Sequence, residues 1–238
     1  MDRPNAHERS STHCASSSEY LSTIASPDLI ISTGPYPELN RDLLVVGDLT
    51  RDEYFSLFVE TVTTGDIDIE LVDDAIILTQ PDSTRVGIAY QQKSDFLHQV
   101  AALHEGSLLT PVHTLWSVGP WLPEAFASDL ATSIPLLIKD IELYENTSSL
   151  QHYPEKLKIG IIEYCENEIR QKSRTLAKSD IDELSRSFAT NDIALAKIRM
   201  LHALDNVYFR GLKYINDTQQ KLSEASLKEI EIILNGYC

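Results

Sequence analysis

The sequence predicts an α+β fold, in which a small mixed β-sheet is followed by a C-terminal helical bundle. Short apolar runs bounded by turn residues recur between residues 28 and 90, as strands of a small sheet do. Beyond Gly119-Pro120, long stretches carry apolar residues at three- and four-residue steps, the spacing of helices. The first residues are polar and rich in serine, which predicts a disordered arm. The predicted organisation is therefore an arm over 1–24, a mixed domain over 25–120 and a helical domain over 121–238.

The N-terminal elements follow from local signals. Thr50 can cap a helix that runs to Val62, and Glu53 completes a capping box three residues later. A second helix is predicted from Ser94 to about His104. Strands are predicted where apolar runs end in Asp, Pro, Ser or Gly turns; they cover residues 28–32, 42–47, 67–72, 75–79, 85–90 and 110–118.

The sequence pattern predicts helices throughout the C-terminal half. Pro123 suits the first turn of a helix, and Pro135 is expected to kink that helix in its middle. In the fourth of these helices, apolar residues from Ile193 to Ile215, Leu204, Tyr208 and Leu212 among them, fall on one face. The predicted helices cover residues 123–144, 154–174, 179–189, 191–215 and 224–235.

Charge and composition exclude several classes of function. The chain of 238 residues has a net charge of −16, which repels the phosphate backbone of DNA and RNA but still allows a small nucleotide carried with its metal. The three cysteines form no C-x-x-C pair, and no apolar run reaches the length of a membrane span. Carboxylates beside Cys165 are expected to raise the pKa of its thiol. We therefore expect a cytoplasmic protein without membrane contact, and a homodimer is compatible with its acidic helical half.

The most informative segment is Gly65–Leu71, in which carboxylates alternate with apolar residues. On a strand, Asp66, Asp68 and Glu70 share one face, because successive side chains point to opposite faces. A row of like charges repels itself, and binding a divalent cation is one reason to keep it, since hard cations prefer carboxylate oxygens. The alternative is an exposed edge strand that uses charge to prevent aggregation.

Two segments resemble the nucleotidyltransferase superfamily. Asp66-Ile67-Asp68, with Glu70, is similar to the Asp-x-Asp pair that the superfamily places on a strand of a small mixed sheet. Leu201–Lys213 is similar to a late helix of many bacterial members, in which an Ala-Leu-Asn segment is followed by Tyr and then Gly-x-Lys. The order of the two segments agrees with the superfamily across roughly residues 42–236.

The resemblance implies a chemistry and roles for named residues. Asp66 and Asp68 would hold Mg²⁺ ions that bridge the phosphates of a nucleoside triphosphate, and Glu70 would serve as a third ligand or a general base. Tyr208 and Lys213 would bind the nucleotide, with Lys213 at a phosphate. The reaction would transfer a nucleotide to a small hydroxylated acceptor or to a protein side chain.

Two departures from the superfamily leave other interpretations open. The Gly-Ser pair that precedes the first Asp in the superfamily is absent, and Gly87 stands where a third carboxylate is usual. One alternative is a catalytically inactive relative that acts by binding a protein partner. A second is an unrelated acidic helical interaction protein, in which the carboxylate row only prevents self-association.

Overall fold

The computed structural model describes residues 26–34, 36–62, 68–72, 75–80, 82–108 and 122–236. Within these ranges it has six β-strands in one mixed sheet and eight α-helices, most of them in the C-terminal half. The predicted α+β class is therefore confirmed. The chain divides into two compact units, the first of 26–100 with 129–151 and the second of 101–108, 122–128 and 152–236. The predicted arm over 1–24 lies outside the described residues.

The first unit contains the whole sheet, whose strands follow the order β3-β4-β5-β2-β1-β6. β2 and β5 pair in parallel, and the other neighbours pair antiparallel. β3 and β6 are therefore the two edges of the sheet as described. The first five strands lie where the sequence predicts them, whereas the strand predicted at 110–118 falls outside the described residues. The strands are β1 (Leu29–Ser32), β2 (Asp42–Gly47), β3 (Asp68–Val72), β4 (Ala75–Thr79), β5 (Arg85–Gln92) and β6 (Ile134–Ile138).

Two helices follow the parallel strands, α1 (Arg51–Val62) after β2 and α2 (Lys93–His104) after β5. The predicted capping box is confirmed, because the Thr50 amide donates to Glu53 Oε2 at 2.9 Å and the Glu53 amide donates to Thr50 Oγ1 at 3.4 Å. Tyr54 and Phe58 of α1 pack into the main core on one face of the sheet, and the Tyr54 ring stacks on Tyr90 at 4.2 Å. That packing fixes the position of α1 on the sheet.

The helix predicted over 123–144 is wrong. The structure has α3 (Pro123–Ala131), then strand β6, then α4 (Ile141–Ser149). Pro135 lies in β6 opposite Ile31, where the register shifts, and proline is tolerated there because β6 is an edge strand that does not need every amide as a donor. Asp140 starts α4 afresh, since its Oδ1 accepts from two amides of the first turn.

The second unit is helical and has a hairpin of α5 (Glu155–Leu176) and α6 (Glu183–Leu204), followed by a 3₁₀ turn at Leu212–Tyr214, α7 (Ile215–Gln219) and α8 (Glu224–Asn235). The predictions at 154–174 and 224–235 are confirmed. The predictions of two helices at 179–189 and 191–215 are wrong. One helix, α6, spans the supposed break and ends at Leu204, because Asn206 takes up the left-handed conformation with φ of 56°.

The early end of α6 changes the predicted apolar face. Tyr208 lies beyond the helix, and Leu204 and Leu212 are about half exposed, at 48% and 54%. The core of this unit instead joins α6 to the segment after it and to α8; it consists of Ile198, Val207, Phe209, Leu222, Ile230 and Ile233. In the described part of the chain, no helix combines the length and the apolar character that crossing a bilayer requires.

Candidate functional site

The carboxylate row lies on the edge strand β3. Asp68 and Glu70 are both exposed and lie on the same face, while Ile69 points to the other face and packs against the main core. Asp66 falls outside the described residues. β3 pairs with β4, and no other described strand lies along its outer side. Within the described part of the chain, the two carboxylates Asp68 and Glu70 are thus presented to solvent at the edge of the sheet.

An arginine that was not predicted as a site residue lies beside this row. Asp68 is the register partner of Thr79 on β4, and Thr79 is the partner of Arg85 on β5, so all three side chains share a face. Arg85 Nη2 donates to Glu70 Oε2 at 3.3 Å, and both side chains are 62% exposed. An exposed pair of this kind contributes little to stability. It does partly neutralise one of the two described carboxylates.

Asp42, the other carboxylate on this face of the described strands, is too far away to share a cation with the row. Glu70, Ile77, Gly87 and Asp42 are successive register partners across four strands. Three steps between strands separate Glu70 from Asp42 by roughly 14 Å, and burial raises the pKa of Asp42. Among the described residues, no group of three or more His, Cys, Asp or Glu is close enough to hold a metal ion.

The first turn of α1 lies at the opposite end of the sheet from Asp68. Asp68 is level with Arg85 at the start of β5, whereas α1 begins after Gly47, which is level with Gln92 at the end of β5. The seven residue steps along β5 amount to roughly 23 Å. The amides that begin α1 therefore do not face the carboxylate row, as a phosphate-binding turn opposite that row would.

The two residues predicted to bind a nucleotide lie in the second unit. Tyr208 stacks on Tyr153 with ring centroids 4.5 Å apart, and burial raises the pKa of its phenol. Lys213 lies in the 3₁₀ turn, is exposed, and places its Nζ 5.1 Å from the centre of the Tyr214 ring. Tyr208 therefore serves packing in this structure, and Lys213 is presented to solvent beside an aromatic ring.

A buried ion pair in the second unit was not predicted from the sequence. Arg199 Nε donates to Glu124 Oε1 at 2.6 Å, and the two side chains are 8% and 1% exposed. The Arg199 guanidinium also lies over the Tyr164 ring at 5.2 Å. Nearby Cys165 is buried, and burial, more than the neighbouring carboxylates, raises the pKa of its thiol to about 11. That direction agrees with the prediction and makes the thiol a poor nucleophile.

Buried His202 predicts a dependence of stability on pH. Its Nδ1 lies 2.9 Å from the Ile198 carbonyl oxygen and its Nε2 lies 3.0 Å from the Thr218 hydroxyl oxygen. Burial lowers the pKa of the ring below its ordinary 6.5. The unfolded chain therefore takes up a proton near pH 6.5 while the folded imidazole stays neutral. The stability from this group is complete above that pH and is lost as the pH falls toward the folded pKa.

We expect the wild type to lose more free energy of unfolding between about pH 7 and pH 5 than His202→Gln does. The difference is limited to about 1.4 kcal/mol for each pH unit between the two pKa values. Urea unfolding followed by circular dichroism at several pH values measures it. Equal losses in the two proteins would show that His202 does not titrate differently on unfolding.

Comparison with protein-family models finds no match to this chain, and comparison with curated proteins finds none either.

Proposed function

We propose that the chain acts as a binding protein for a basic protein partner, which it engages along the edge strand β3. The observation that carries this proposal is the exposure of Asp68 and Glu70 together on a strand that lacks a neighbour on its outer side in the described structure. A free edge offers main-chain donors and acceptors to an extended segment of a partner. The carboxylates select for lysine and arginine in that segment.

The charge of the whole chain supports the same choice of partner. The net charge is −16, and most of the excess acid lies in the first hundred residues, which contain five of the six described strands. A second copy of this chain would bring like charges together at the edge, which is unfavourable. A basic segment is attracted over long range and is paired at the edge. In this account Arg85 holds Glu70 until the cationic side chain of the partner replaces it.

The proposal also includes a relation of this chain to the nucleotidyltransferases. We propose an inactive relative: the sheet carries the remains of the Asp-x-Asp row, while no Gly-Ser pair precedes Asp66 in the sequence. The separation of Asp68 from the first turn of α1 supports that interpretation, because phosphate binding would require the two to face each other.

The proposal predicts peptide binding that depends on the two described carboxylates. A fluorescent peptide of alternating lysine and threonine is expected to bind the wild type, and Asp68→Asn with Glu70→Gln is expected to weaken binding roughly tenfold or more. Fluorescence anisotropy at moderate salt measures both affinities. The matched control is Glu229→Gln with Glu231→Gln on α8, which removes the same charge from two exposed positions. Equal weakening by both double variants would show that binding depends only on net charge, which would contradict the proposal.

Mg²⁺-dependent nucleotidyl transfer is the second candidate, favoured by the shared exposed face of Asp68 and Glu70. Carboxylate oxygens suit Mg²⁺, and Asp66 and Asp68 would hold the ion that orients the triphosphate of the nucleotide. The Glu70–Arg85 pair and the distance to Asp42 do not favour a complete ligand set. Calorimetric titration with Mg-ATP and Mg-CTP distinguishes the two functions. Heat in the wild type that disappears in Asp68→Asn would support transfer, and no binding at millimolar nucleotide would remove this candidate.

A further inference from the structure

A cavity of about 370 Å³ lies at the ends of the two parallel strands of the first unit. Gly47 of β2 and Gln92 of β5 are register partners, so both strands end at the same level. The helices α1 and α2 begin there, and their first turns border the cavity with Arg51, Asp52 and Asp95. This place is far from the carboxylate row, which lies at the other end of β5.

From the ends of β2 and β5, the helices α1 and α2 run along opposite faces of the sheet. Tyr90 and Gln91 are consecutive on β5 and so point to opposite faces. The Tyr90 ring stacks on Tyr54 of α1, whereas Gln91 Nε2 donates to Oε1 of Gln99 on α2 at 3.3 Å. Neighbouring parallel strands followed by helices on opposite faces form a topological switch point. In open α/β sheets, ligands bind in the crevice that such a point leaves outside the carboxyl ends of the strands.

A buried polar atom of a residue that lines this cavity points independently to a ligand. Gln91 is 8% exposed and lines the cavity, and its Oε1 is buried without a hydrogen-bond partner in the part of the chain that the structure describes. Buried acceptors of this kind are almost always satisfied in folded proteins. A hydroxyl or amide donor of a bound molecule would satisfy this one once the Gln91 side chain turns its Oε1 toward the cavity.

The lining determines which class of molecule fits. Arg51 is the cationic residue among the described residues of the lining, and its Nε lies 3.6 Å from a carboxylate oxygen of Asp52. Asp52 and Asp95, in the first turns of α1 and α2, already complement the positive ends of those helices. Because Asp52 and Asp95 already offset the positive ends of the two helices, a phosphate there would be repelled by two carboxylates. The side-chain amides of Gln91, Gln92 and Gln99 can donate and accept, which suits a molecule that does both.

We propose that this crevice binds a neutral polyhydroxylated molecule of the size of a monosaccharide. The volume lies at the lower end of the range for small-molecule sites. Vicinal hydroxyls would donate to Asp95 and to Gln91 Oε1 and accept from the amide groups of the glutamines. This binding does not depend on the function proposed for β3, because the two places share no residue.

The proposal is tested by titrating the isotope-labelled protein with D-ribose, D-glucose and inorganic phosphate and following the side-chain amide signals of Gln91 and Gln99 by NMR. At least one sugar is expected to shift both signals at millimolar to tens of millimolar concentration, with phosphate causing no such shift. Asp95→Asn is expected to weaken the sugar roughly tenfold, the effect of losing a hydrogen bond to a charged group. Asp217→Asn, an exposed first-turn aspartate of α7, is the matched control and is expected to bind as the wild type does.

Gln91→Met, which keeps the length of the side chain without its polar atoms, is expected to fold and to lose sugar binding, followed through the Gln99 signal. If this variant does not fold, Asp95→Asn at its exposed position still decides the question. Three results would overturn the proposal: no shift with either sugar, a shift of these amides by phosphate alone, or equal weakening in Asp95→Asn and Asp217→Asn.

Discussion

Replacing Arg199 with leucine is expected to lower the free energy of unfolding by about 3–5 kcal/mol, the loss typical of a broken buried ion pair. The Arg199 Nε donates to Glu124 Oε1 at 2.6 Å, and both side chains are almost fully buried. The other carboxylate oxygen of Glu124 is buried without a hydrogen-bond partner among the described residues. Removing Arg199 therefore leaves a buried charge with little compensation. Urea denaturation followed by circular dichroism measures the loss.

Two controls separate charge from packing in this experiment. The double variant Arg199→Leu with Glu124→Met removes both charges and is expected to recover most of the lost stability, because apolar pairs of similar volume replace buried ion pairs well. Lys156→Leu breaks an ion pair with Glu105 that has the same 2.6 Å distance but is exposed, and it is expected to change stability little. A double variant as unstable as Arg199→Leu would show that shape, not charge, makes Arg199 important.

Gly106→Ala is expected to destabilise the protein by about 2–4 kcal/mol, from backbone strain and overpacking together. Gly106 closes α2 with φ of 74°, and the amides of Gly106 and Ser107 donate to Leu103 and Ala102 in a Schellman motif. A Cβ at Gly106 would also collide with the carbonyl oxygen of Lys156 near the start of α5. The same urea experiment measures this loss.

Gly211→Ala separates these two contributions. Gly211 has φ of 101°, but a Cβ there would meet no described atom within 4 Å. Alanine at this position therefore introduces backbone strain without a steric collision. The loss at Gly211 is expected to be clearly smaller than the loss at Gly106. Equal losses would mean that the close approach of Gly106 to α5 is not part of its role.

Elements with local signals could be predicted from the sequence. β4 begins and ends where the apolar run Ala75–Thr79 does, because turn residues border it on both sides. α1 follows from its capping box, which the structure contains. The placement of Asp68 and Glu70 on one face follows from strand geometry alone. Such features need only neighbouring residues to decide them.

The features that could not be predicted depend on residues distant in sequence. β6 is a strand because it pairs with β1, about a hundred residues earlier, and its run Ile134–Ile138 looks equally apolar in a helix. Arg85 reaches Glu70 because β4 brings β5 two strands from β3. The Arg199–Glu124 pair and the cavity beside Gln91 likewise arise from packing between elements. Local periodicity contains none of this information.

Hydrogen exchange at the amides of β3 decides whether this strand is a docking edge for a basic segment, as we propose. Residues Asp68–Val72 are measured by NMR with and without the lysine-threonine peptide. We expect the β3 amides that point away from β4 to become protected from exchange when the peptide binds, because an added strand forms main-chain hydrogen bonds with them. Peptide binding that leaves the exchange of every β3 amide unchanged would contradict the proposal.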